Sequence, residues 1–164
     1  MRRLVMITPF ALVLGLAASP ASAQAPQVHV TVGGDLADEV EDLGQRDVDQ
    51  QVERLTTVVS RELARRGGLD GAQVNLVLTD LKPNRPTLEQ AVNRPGLSII
   101  HSISIGGATI EGEVVTSDGQ RLPVHYSRYS NSLAEVHGFG TWQDADRAYG
   151  RFANKLASGR LVTR

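Results

Sequence analysis

Four histidines, His29, His101, His125 and His137, are the side chains of this 164-residue chain best suited to moving a proton near neutral pH. No two of them stand at the helical spacing of a metal pair. His101 has the most suggestive surroundings. It shares alternating parity with Leu97, Ile99, Ile103 and Ile105, opposite Ser98, Ser102 and Ser104. A two-residue hairpin at Gly106-Gly107 would set it across from Gly112, leaving space beside the ring. A buried imidazole next to a gap, with Ser102 or Tyr126 in reach, is the arrangement of a small hydrolase or isomerase. The same pattern fits a core histidine with one satisfied hydrogen bond, and that structural role is the expectation here.

Other constellations invite chemistry and have plainer readings. Five acids between Asp35 and Asp42 lack the spacing of a calcium loop and read as a solvated acidic face. Asn84-Arg85-Pro86 and Asn93-Arg94-Pro95 bracket a short segment, either as a pair of anion-binding arms or as turns around a helix; the second is expected. Tyr126, Trp142 and Phe152 could line a pocket for a small apolar ligand, but aromatics at helical spacing usually fill a core. His29, Glu111, Arg121 and His125 fall on the polar parity of their strands, with Thr31, Asn75, Thr109, Glu113 and Tyr129, and make a candidate partner face. The nucleophile elbow, phosphate loop, zinc-protease and dinucleotide motifs are missing, so no catalytic residue, metal site or cofactor is assigned.

These residues need elements to hold them. Val28, Val30 and Val32 alternate with polar neighbours as a half-buried strand ended by Gly33-Gly34. Leu36, Val40 and Leu43 suit a short helix. A long helix is expected from Asp47, capped by its carboxylate, through Val48, Val52, Leu55, Val59 and Leu63 to Gly67-Gly68. Val74, Leu76 and Leu78 form a strand in which Val77 adds apolar character to the second face, as in an interior position. It should lie parallel or adjacent to the first strand, because a helix connects the two. Thr87 and Gln90 predict a capping box on a two-turn helix stopped by Pro95-Gly96.

From Leu97 to Tyr129 the pattern predicts a three-stranded antiparallel meander. Its first turn is Gly106-Gly107, pairing Ile103 with Ile110. Its second is a three-residue loop of Ser117, Asp118 and Gly119, pairing Ile110 with Tyr126 and Val114 with Leu122; a two-residue turn would face apolar side chains outward. A last helix opens at Thr141 with Asp144 as its cap and ends at Ser158-Gly159, burying Trp142, Ala145, Ala148, Tyr149, Phe152 and Leu156. The expected fold is α+β: a mostly antiparallel sheet of about five strands with two main helices on one face.

The first 23 residues read as a signal peptide. Arg2-Arg3 is followed by the apolar run Leu4 to Ala18, Pro20, and the small-x-small pattern Ala21-Ser22-Ala23, predicting cleavage between Ala23 and Gln24. The run is shorter than the about 20 residues a membrane span needs. There is no cysteine for a lipid anchor or a disulfide. Residues 24–164 then form one domain. Loss of Arg2 and Arg3 from 17 basic residues leaves 15 against 18 acidic ones, a net charge of −3 without the basic stripe that nucleic acid or anionic lipid would demand.

The segments Pro83-Asn84-Arg85-Pro86-Thr87, Pro95-Gly96-Leu97-Ser98, Gly106-Gly107-Ala108 and Thr141-Trp142-Gln143-Asp144-Ala145 resemble a group of small exported bacterial proteins, over residues 74–157. The resemblance implies a periplasmic or outer-membrane-associated location and carries over no active site. Many such proteins are lipoproteins, whereas this chain has no cysteine. The expected function is therefore that of a periplasmic or secreted, non-enzymatic domain that binds another envelope component through its polar sheet face or a free sheet edge.

Overall fold

The computed structural model describes residues 25–67 and 69–160. The expected signal peptide and the Ala23–Gln24 cleavage site lie outside the described residues. Four strands, β1 (Gln27–Val32), β2 (Gln73–Lys82), β3 (Gly107–Val115) and β4 (Arg121–Tyr129), form one sheet in the order β1-β2-β3-β4. Four α-helices accompany them: α1 (Leu36–Leu43), α2 (Gln45–Arg66), α3 (Leu88–Asn93) and α4 (Gln143–Ala157). The fold is mixed α+β.

β1 and β2 are adjacent and parallel, with Val28 beside Val74, because α1 and α2 cross between them. The other two pairings are antiparallel. Even-numbered side chains of β1, β3 and β4, and of β2 as far as Leu78, turn to one side, where Val74, Leu76, Leu78, Ile110, Val114 and Val124 meet α2 and α4. A register shift between Leu78 and Asp80 then turns Leu81 to that side and Asp80 to the other. From α2 come Val48, Leu55, Val59 and Leu63, each fully buried, at spacings that keep them on one stripe. From α4 come Ala145, Ala148, Tyr149, Phe152 and Leu156. Each large aliphatic side chain so removed from water contributes about 1.5–3 kcal/mol. The odd-numbered side chains, apart from Leu81 beyond the register shift, face away from both helices.

The strand expected over Leu97–Ile105 does not form, so the sheet has four strands rather than five. Two physical reasons account for it. Ser98 Oγ accepts from the backbone N–H groups of Ile100 and His101, and Ser102 N–H donates to the Ser98 carbonyl at 2.9 Å, so serine side chains close a turn where a ladder would need free backbone. The place beside β3 goes instead to the longer β2, which sets Leu78 rather than Ile103 against Ile110. The second half of the expected meander does form. Ile110 pairs with Tyr126 and Val114 with Leu122, around a loop whose Gly119 has φ +84°.

Gly112, assigned above to a gap beside His101, instead lies between Leu76 and Val124. Its φ is +149°, and an added Cβ would come within 2.1 Å of the Asn75 carbonyl oxygen. Gly106 is not a hairpin residue either. A Cβ there would lie 2.6 Å from the Asn84 side chain, so the glycine permits a close approach of two loops.

Two helix starts also differ from expectation. α2 begins at Gln45 behind Gly44, and the Asp47 carboxylate, freed from capping, accepts from Trp142 Nε1 at 3.2 Å. In α4, Asp144 lies inside the first turn and its carboxylate serves a buried network rather than a cap. The Thr87–Gln90 capping box of α3 is present in both directions.

Candidate functional site

The sequence-derived ligand residues are not brought together. His101 is exposed on the turn after Gly96, not buried in a strand. Tyr126 is buried on β4 with its ring 5.8 Å from that of Phe152, centroid to centroid, so the two fill core volume. Trp142, only partly buried, lines a separate hollow with Gln51 and Arg54. The expected partner face, by contrast, is assembled. His125 Nδ1 lies 3.2 Å from Glu111 Oε1, and Arg121 donates to Glu113 at 2.5 Å. In register they form rows that run across the sheet, Thr31-Val77-Glu111-His125 and His29-Asn75-Glu113-Pro123. Tyr129 donates to Asp80 at 2.7 Å from the same face; burial, with the Asp80 carboxylate beside it, raises its phenol above the ordinary value.

Sequence reasoning missed a more distinctive arrangement. Asn84 and Arg85, expected to be turn residues, are 2 % and 7 % exposed. The Asn84 amide donates to Asp144 Oδ2 at 2.6 Å, and its Oδ1 accepts from the Asp144 backbone N–H at 2.8 Å. Ser130 and Arg147 donate to the same carboxylate at 2.7 and 2.9 Å. Burial pushes the Asp144 carboxyl up, but these donors outweigh it and hold it below its usual range. The Asn84 carbonyl accepts from Ser104 N–H at 2.8 Å, and Arg85 donates to the carbonyls of Ile100 and Gly138 beneath the Phe139 ring. Two long connections, 83–106 and 130–142, are thereby tied to each other and to the start of α4.

What this network holds in place is an apolar ledge. Among the described residues, seven of the nine exposed large hydrophobic side chains lie within residues 88–105, from Leu88 and Val92 through Ile99, Ile100 and Ile103 to Ile105. α3 buries none of its residues. Leu88 and Val92, 69 % and 71 % exposed and four residues apart, share a side of this helix that meets no other part of the described chain closely enough to be covered. Its anchors are polar: Gln90 Nε2 donates to Asp42 at 2.7 Å, and Arg94 pairs with the same carboxylate. Between the ledge and α1 runs a groove of about 500 Å³ floored by Leu43, Leu81 and Ile105, with Asp38, Glu39 and Asp42 on its rim. Burial first, then the Asp80 charge, raises the Glu39 carboxyl.

Comparison with protein-family models and with curated sequences gives no match. Among the described residues no group of histidines and carboxylates could hold a metal ion, and no helix is long and apolar enough to cross a membrane. The ledge and groove supply apolar contact area, a cationic side chain and a carboxylate rim.

Proposed function

We propose that this chain is an exported bacterial envelope protein whose α+β domain binds another envelope protein without catalysis, using the ledge of residues 88–105. One observation carries the reading: α3 turns Leu88 and Val92 outward, and the following segment adds Ile99 and Ile100 at 49 % and 64 % exposure. Burying such side chains in a partner recovers about 25 cal/mol per Å² of apolar area, a gain unused in the free domain. The carboxylates of Asp38, Glu39, Asp42 and Glu89 near the ledge argue for a protein over an anionic lipid surface, which would repel them.

Export is proposed from the leader and its Ala21-Ser22-Ala23 ending. The polar sheet face of His29, Glu111, Arg121 and His125 has its charges paired across strands and serves as the solvated side of the domain. A hydrolase or isomerase centred on His101 finds little support, because the turn containing it gives the ring no buried base–nucleophile pair. An apolar-ligand carrier finds little either, with Tyr126 and Phe152 packed ring to ring.

The test is a triple substitution, Leu88→Ser, Val92→Ser and Ile100→Ser, compared with the unaltered protein in envelope extracts by size-exclusion chromatography. The unaltered protein should run within a defined larger complex, and the triple variant should run at monomer size with an unchanged melting temperature. A variant that stays in the complex contradicts the proposal.

A further inference from the structure

β4 is the last strand of the sheet, and among the described residues no strand pairs with its outer side. The register shows which of its backbone groups point away from β3. Thr116 N–H donates to the Gln120 carbonyl, and Ser130 N–H donates to the Gly106 carbonyl, at the two ends of the β3–β4 ladder. The even-numbered residues of β4 therefore bond to β3, and His125, Ser127 and Tyr129 point their N–H and C=O groups outward.

Beside this stretch α4 builds a wall, and the two enclose a groove of about 770 Å³. Arg128 enters it from β4, and Arg151, Asn154 and Lys155 enter it from α4. None of the three cations is in an ion pair among the described residues, although Lys155 Nζ lies 5.0 Å from the centre of the Tyr126 ring. Glu135 feels the Arg128 charge, but both of its oxygens accept from Asn131. The same wall contains Gly150, mid-helix and exposed, where an added Cβ would meet no atom within 4 Å. Glycine weakens a helix interior, and no close approach within this chain requires it there. Its effect is to widen the groove.

We infer that the β4 edge and the cationic flank of α4 accept an extended acidic peptide segment as a fifth strand. Three outward-facing residues supply paired donors and acceptors for its backbone, and Arg128, Arg151 and Lys155 receive carboxylates projecting from alternate positions of the added strand. A second copy of this chain is a poor occupant. Edge-to-edge pairing would bring two cationic flanks together, and Pro123 has no N–H to contribute. This site is separate from the ledge, so either can fail alone.

The probe is a fluorescein-labelled peptide of four Asp-Thr repeats, followed by fluorescence anisotropy and by backbone amide shifts of the protein. The expected result is saturable binding, with shifts concentrated at His125, Ser127 and Tyr129. It should weaken at least tenfold in the Arg151→Glu, Lys155→Glu double variant and in Gly150→Leu, both at exposed positions. A Lys-Thr peptide and an Asp-Thr peptide N-methylated at alternate residues should not bind. No binding at millimolar peptide overturns the inference, as does binding indifferent to the charge reversals. Full competition by inorganic phosphate, or equal binding of the N-methylated peptide, reduces the groove to a simple anion site and also overturns it.

Discussion

Asn84 and Asp144, sixty residues apart in sequence, exchange two hydrogen bonds in a setting almost closed to water. Cutting Asn84 to alanine leaves a buried carboxylate and a backbone N–H short of partners, so a loss of about 1–3 kcal/mol is expected in urea unfolding. The pH dependence has a definite sign. The folded Asp144 carboxyl titrates below the ordinary aspartate value of 3.8, so it contributes stability above that pH and loses it as acid passes through the folded value. Asp144→Asn should therefore be less stable than the native protein at pH 7, with the difference shrinking toward pH 2. Tyr149 is the opposite case. Its hydroxyl is fully buried without a partner among the described residues, so Tyr149→Phe should leave stability unchanged or raise it by up to about 1 kcal/mol in the same assay. A clear loss would reveal a missed partner. The burial of Tyr149 was legible in the sequence, but the Asn84–Asp144 network was not: Asn84 reads as turn chemistry because its partner lies far along the chain. His101 was misread for a related reason, since strand-like alternation cannot show that Ser98 and Ser102 claim the backbone locally.

Elements with strong local signals read true. The α2 stripe of Val48, Leu55, Val59 and Leu63, the capping box of α3, the end of α4 near Gly159 and the three-residue loop between β3 and β4 each follow from spacing or turn chemistry within a few residues, although α2 buries Gln51 rather than the expected Val52. The strand over 97–105 failed because two segments competed for one side of β3, and pattern alone does not rank them. Gly112 gives this register a direct test. With φ +149° and a backbone oxygen 2.1 Å from any added Cβ, Gly112→Ala should lower stability by more than the roughly 3 kcal/mol that bounds most single substitutions, measured by thermal unfolding. At Gly150, where a Cβ meets open space, alanine should raise stability by about 0.5–1 kcal/mol. The contrast between two glycines separates a backbone requirement from a helix weakened without structural need.

At the scale of the molecule, one face of a four-stranded sheet is covered by α2 and α4, and no element among the described residues covers the polar face. The unusual surface lies at neither. It is the ledge on residues 88–105, held by the buried Asn84, Arg85 and Asp144 and exposing a run of aliphatic side chains. The proposed leader has its own check: mass spectrometry of protein recovered from the periplasm should begin at Gln24. The proposal of a protein partner at the ledge is tested most directly by photo-cross-linking in living cells. A photoreactive phenylalanine analogue would be placed at Val92 or Ile100 on the ledge, and at Gln73 or Arg121 on the polar sheet face. The account predicts one discrete envelope-protein adduct from both ledge positions and none from the sheet positions. Adducts absent from the ledge, or formed equally from the sheet, would contradict it.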